Sequence, residues 1–262
     1  MRDTDPNARY EGGMAVDHLD VIASDGARIL AAYRSDPDGR VPWSDRWTVR
    51  SVARHVAGSH HAVALILSDR PTADFEQAAA MPRIEADEPE FPEWFSANTR
   101  RLLTQCRTVP PTAVCWAPHP LLAGTGAYWT RRIAYDTLVH RWDAEAGAGI
   151  AGPAMEPDTA ADAVDEVLDV GLRVTRAVAD APAGPAIGIA CTDAHQAWHL
   201  DLANVGRLTI HTEPIDVAVT LRGTAEALLL WLWRRIDIAG GEIEVDGDRS
   251  VVARWTELLP TS

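Results

Sequence analysis

The residues best placed to do chemistry lie between Tyr128 and Glu145. Nothing in that stretch breaks a helix. Ile133, Thr137 and Trp142 fall near one side, as do Trp129, Ala134 and Leu138, which is a helical recurrence rather than a strand alternation. On such a helix Asp136 and His140 project from one face, one turn apart. A carboxylate and an imidazole so placed can share a divalent metal, form a hydrogen-bonded pair, or make up a charged surface. The metal reading needs a third ligand from elsewhere. A second enrichment is His55, His60 and His61, three histidines within seven residues. His55 sits in an apolar register, where a histidine is usually a packed residue with one satisfied nitrogen. His60 and His61 cannot both share its face and are expected at the surface or at a pocket rim. Cys106, Cys115 and Cys191 are odd in number, widely spaced and without a C-x-x-C pair, so they read as unpaired thiols of a reducing compartment.

Composition narrows the chemistry. The 24 basic residues are all arginine, which removes lysine Schiff-base chemistry and a pyridoxal anchor. A net charge of −14 argues against nucleic acid and anionic membranes as partners, and leaves a small-molecule substrate as the expectation. An anionic substrate requires local arginines. No signal segment and no apolar run of membrane-spanning length is evident, so a cytoplasmic protein is expected. The ten tryptophans read chiefly as core, with Trp43 and Trp129 as possible pocket-mouth residues. Asp143 and Glu145 can orient neighbouring groups or lie on the surface.

These residues must be positioned by helices. After a polar start over 1–13, a helix is predicted from Val16 to Ser35, closed by the turn signal Asp36-Pro37-Asp38-Gly39. A second helix follows Thr48, whose hydroxyl can cap it. Residues 67–92, broken by four prolines, read as a long loop with a short helical turn near Phe75 to Ala80. A third helix runs from Trp94 to Cys106, and the helix of Asp136 and His140 is the fourth, consistent with an antiparallel four-helix bundle over 14–146. The Gly- and Pro-rich stretch 147–157 marks a boundary. A helix is predicted from Ala160 to Ala179, then strands over 186–191, 197–202, 207–211 and 215–220. A helix from Gly223 to Arg235 with Thr224 as cap, a strand over 242–245, a turn at Asp246-Gly247 and a closing helix from Ser250 to Leu259 follow. Residues 159–259 are thus a small α+β domain.

Two stretches carry a family resemblance. The run Trp47 to Gly58 resembles the first signature of the mycothiol-dependent maleylpyruvate isomerase family, a branch of the DinB-like metal-binding bundles, and Arg131 to Glu145 resembles the second. Trp198-His199-Leu200, the run Val219 to Trp233 and Val245 to Asp248 are similar to the family's C-terminal domain. The resemblance implies a DinB-like bundle holding a divalent metal, usually zinc, on His55, Asp136 and His140. It implies mycothiol as thiol cosubstrate in isomerisation or thiol transfer on a small electrophile. It further implies arginines that meet substrate carboxylates, with Arg235 the first candidate and Arg222 the second. Arg234 reads instead as a helix-end charge. Two positions depart from the family pattern: Asp136 stands where glutamate is typical, and Ser44-Asp45-Arg46 where relatives often carry a Pro-Gly turn. The alternatives are a different thiol reaction on the same bundle, or a non-catalytic binding or regulatory protein that kept the fold. Oligomeric state is not encoded in any motif.

Overall fold

The computed structural model describes residues 16–69, 89–122 and 124–259. The polar start over 1–13 and most of the loop expected over 67–92 lie outside them. Four helices form the first unit: α1 (His18–Ser35), α2 (Val49–Asp69), α3 (Phe91–Thr108) and α4 (Gly126–Gly147). All four pack together, α1 and α2 each against α3 and α4 and against each other. Asp17 caps α1 by accepting from the backbone N–H groups of Leu19 and Asp20. Pro92 stands in the first turn of α3, where its missing N–H has no helical partner to lose. That start is three residues earlier than the predicted Trp94.

α4 is buried on nearly every side, polar residues included. It is the element shared by two cores: Ile133 and Ala134 pack into the bundle, whereas Tyr135, Leu138 and Val139 belong to the core of the second unit. A helix enclosed in this way must satisfy its polar groups internally, and its Asp, His, Arg and Glu residues therefore pair with one another and with neighbouring elements. Its start is set by Thr125, extended in backbone, whose hydroxyl accepts from the N–H of Tyr128 at 3.1 Å. Thr125→Ala is expected to cost about 1 kcal/mol, read as a shift in urea midpoint at unchanged slope. A shift too small to measure would show that the cap contributes nothing to α4.

The second unit opens with α5 (Pro157–Glu166), which rests on α4. The helix predicted over 160–179 is not continuous. It loosens into a π turn at Val167–Gly171 and a 3₁₀ turn at Leu172–Val174, then restarts as α6 (Arg176–Ala179). Thr175 is extended and its hydroxyl accepts from the N–H of Val178, so it ends one segment and caps the next. The apolar stripe Val164, Val167, Leu168 and Leu172 is buried as predicted.

Five strands follow, β1 (Gly184–Cys191), β2 (Ala197–Asn204), β3 (Arg207–His211), β4 (Val219–Gly223) and β5 (Ile243–Gly247), in spatial order β3-β2-β1-β4-β5. β1 and β4 are parallel and the other neighbours antiparallel. The strand predicted over 215–220 begins at Val219 instead, because its pairing with β1 starts only at Ile187↔Val219. Asp246 and Gly247 are paired in β5 rather than forming a turn. Gly247 ends the strand at φ +117°, and Asp248 caps the next helix. α7 (Ala225–Leu232), capped by Thr224 as predicted, and α8 (Arg249–Leu258) cover the sheet. Among the described residues no helix is long and apolar enough to cross a membrane.

Candidate metal centre

Helical periodicity places Asp136 and His140 one turn apart on α4, and the packing of α2 on α4 brings His55 to them. One donor atom from each residue lies within 4.8 Å of the other two. His55 Nε2 lies 3.8 Å from Asp136 Oδ2. In a tetrahedral site with bonds of about 2.1 Å, ligand atoms stand about 3.4 Å apart, so separations that shorten by about 0.4 Å to at most about 1.4 Å close the set. The cluster is half open. The side chain of His55 is 40% exposed, whereas those of Asp136 and His140 are 12% and 4% exposed.

Each donor is held by neighbours. Arg132, one turn before Asp136, donates to its Oδ1 at 3.2 Å and reaches Glu166 at 3.6 Å. Burial would raise the Asp136 carboxyl, but the His55 imidazole and the charges of His140 and Arg132 outweigh it and hold it well below the ordinary range. The carboxylate is therefore ionised and its Oδ2 faces His55. His140 Nδ1 lies 2.9 Å from Asp143 Oδ2. Asp143 is fully buried, and although burial pushes its carboxyl up, His140 and Arg235 hold it down. An ionised carboxylate only accepts, so the Nδ1–H of His140 donates, and in the neutral ring that binds a metal the lone pair then lies on Nε2. Trp47 stacks on the His140 ring, centroids 6.0 Å apart and planes at 8°, and meets His55 edge-on at 5.4 Å. Two imidazoles and one carboxylate, with both carboxylates charged and the His140 tautomer set, are a donor set that fits a divalent metal such as zinc.

The other histidines reverse their expected places. His60 and His61 are buried, and His55 is the exposed one. The face of α2 that includes Val56, Ala57 and Val63 packs inward, and it carries His60 with it. There His60 bonds Thr99 at 3.0 Å and Thr137 at 2.9 Å, and burial lowers its pKa to about 4. Trp129 is buried with its indole on the carbonyl of Trp116, so it lines no pocket mouth. Cys115 is buried, and burial raises the Cys106 thiol.

The two arginines singled out in the sequence part company. Arg235 reaches the centre, its guanidinium enclosed, with Nε and Nη2 on the two oxygens of Asp143 at 3.0 and 2.9 Å. Its fork is directed at a protein carboxylate. Arg222 is exposed on β4, registered against Glu244 of β5, and the structure does not bring it into the group. Arg234 does not simply sit at a solvated helix end, since its guanidinium donates to the carbonyls of Thr256 and Leu259 at the end of α8. Arg132 and Trp47 went unassigned in the sequence. The four-residue spacing of Arg132 and Asp136 was a usable signal; Trp47 opens the first family-like run, but nothing local showed that its ring meets the two imidazoles.

Fold and site together define a two-domain protein whose helical bundle brings together three residues that could hold a metal, with Arg235 of the second domain reaching the same cluster. The chain belongs to the mycothiol maleylpyruvate isomerase family. That family's N-terminal domain matches residues 19–145 and its C-terminal domain residues 158–254. Two crystal structures of the mycothiol-dependent maleylpyruvate isomerase, one of them of a histidine-to-alanine mutant, are similar over 88% of this chain and 92% of theirs. Both are 10% identical to it, with TM-scores of 0.58 for the mutant and 0.55 for the other. At that identity the likeness is one of fold. No curated protein sequence matches the chain. The family and the candidate triad support a metal-assisted isomerase or transferase function.

Proposed function

We propose that the protein binds one divalent metal, zinc in the first instance, on His55, Asp136 and His140, and uses mycothiol to isomerise or thiolate a small electrophile bearing a carboxylate. The observation that supports this most directly is the convergence of three donor atoms within 4.8 Å on a family-matched bundle. A metal held there supplies positive charge that lowers the pKa of a thiol brought against it.

The chain's own residues prepare that place. Arg132 keeps Asp136 ionised and turned toward His55, Asp143 presents the Nε2 of His140, and Trp47 walls off the two imidazoles from one side. A thiol bound there would supply a nucleophile for reversible addition to the alkene of the electrophile, and its loss after rotation about that bond would return the thiol and invert the alkene geometry. Within this proposal Arg235 acts through Asp143, and Arg222, exposed on β4, has no part.

The test is turnover of maleylpyruvate to fumarylpyruvate with and without mycothiol, after chelation and after zinc is restored. Activity is expected only with both thiol and metal present. Undiminished turnover in the chelated protein, or none under any condition alongside a metal-free preparation, would overturn the reading.

A further inference from the structure

Asp143 stands at a junction of three chain segments. Its Oδ1 accepts from the Trp43 indole at 2.7 Å and from Arg235 Nε at 3.0 Å, and its Oδ2 accepts from His140 at 2.9 Å and Arg235 Nη2 at 2.9 Å. A carboxylate offers about four acceptor directions, and all four are filled. Arg235 also lies over the face of Trp43, its Cζ 3.8 Å from the ring centroid. Trp43 comes from the connection before α2, and Arg235 from beyond α7 in the second unit.

The backbone beside Arg235 is shaped for this reach. Arg234 adopts φ 56°, uncommon for a residue with a side chain. The N–H of Arg235 bonds the carbonyl of Leu230 and that of Arg234 the carbonyl of Trp231, the paired bonds of a left-handed helix stop. Glycine is the usual residue at that stop. Here the arginine at 234 anchors on the carbonyls at the end of α8, and the turn directs Arg235 back into the bundle.

We propose that Asp143, gripped by Arg235 and Trp43, positions the His140 imidazole for metal binding, so that docking of the second domain and metal affinity are coupled. The inference rests on the metal reading above. Arg235 and Trp43 are positioning residues, acting on the metal through Asp143 and His140. Coupling of this kind is reciprocal: whatever strengthens the metal site through docking, metal strengthens in docking.

The experiment is a competition titration of zinc against a chromophoric chelator for the full-length wild type and for Asp143→Asn, Arg235→Met, Arg235→Lys and Trp43→Phe. Each is checked for folding by circular dichroism. Asp143→Asn and Arg235→Met are expected to weaken zinc binding by about 10–100-fold, the usual effect of losing an outer partner of a metal-bound histidine. Arg235→Lys should fall between them and wild type, because an ammonium lacks the two-pronged fork. Trp43→Phe removes one hydrogen bond with little change in shape, which keeps the test decisive if Arg235→Met fails to fold. In the same samples, zinc should slow amide hydrogen exchange over 225–235 in wild type and do so less in Asp143→Asn. Wild-type zinc affinity in folded Asp143→Asn and Trp43→Phe would overturn the coupling and leave the metal centre intact. A wild type that binds no zinc would overturn both.

Discussion

His140→Ala is expected to leave a folded protein with zinc affinity reduced by well over 100-fold, beyond the 10–100-fold typical of an outer partner. His140 is one of three donors, and removing it leaves His55 and Asp136, too few for a firm zinc site. Its ring is almost enclosed, so the substitution acts inside the packed cluster. The lost ring also takes one of the four bonds to Asp143, but Arg235 still holds both oxygens of that carboxylate, and the fold should survive. Asp136→Glu is the informative companion. Asp136 is a methylene shorter than the family's usual glutamate, yet its Oδ2 already stands 3.8 Å from His55 Nε2. The longer side chain should therefore retain zinc at least partly, whereas Asp136→Ala should lose it. Elemental analysis after purification in limiting zinc, with a chelator titration, reads all three. Full occupancy in His140→Ala would remove that residue from the ligand set.

The second large effect is one of stability. Asp162→Ala should destabilise the protein by roughly 2–4 kcal/mol at neutral pH, toward the lower part of the range for breaking a buried ion pair because the groups are not fully enclosed. Asp162 on α5 ties the second unit to the bundle. It receives the hydroxyl of Tyr135, lies 2.6 Å from Arg131 and 3.2 Å from His18, and its side chain is 14% exposed. Burial would raise its carboxyl, but His18, Arg131 and Tyr135 outweigh this and hold it well below the ordinary range. A folded-state pKa depressed below the unfolded value contributes stability that is present above about pH 4 and lost as pH falls further. The gap between wild type and Asp162→Ala should thus be largest near pH 7 and shrink toward pH 2. Denaturant titrations across that range measure it. A gap that stays constant into acid would show that the Asp162 charge is not what binds the two units.

Much of the candidate site was legible because it is local. The turn of a helix alone puts Arg132, Asp136, His140 and Asp143 along one strip of α4, whatever surrounds it. The caps at Thr48 and Thr224 were readable for the same reason, since each hydroxyl serves an N–H three residues on. Alternation in β2, with Trp198, Leu200 and Leu202 buried, likewise follows from chain geometry. His55 was reached through family resemblance rather than through its spacing. The break in the helix after Glu166 was missed because its apolar stripe continues unbroken through the π turn.

What the sequence by itself determined is the two-part architecture and which residues of α4 share a face. Only the tertiary structure decided which histidine of α2 meets that face, because the packing of α2 buries His60 and His61 and leaves His55 at the opening. It also decided that Arg235 grips Asp143 across 92 positions and Trp43 reaches it across 100. Spacing within one element is set by backbone geometry and can be read from a few residues. Partnership between elements depends on how whole helices pack and how a turn such as that at Arg234 directs the chain, and no local pattern carries that information.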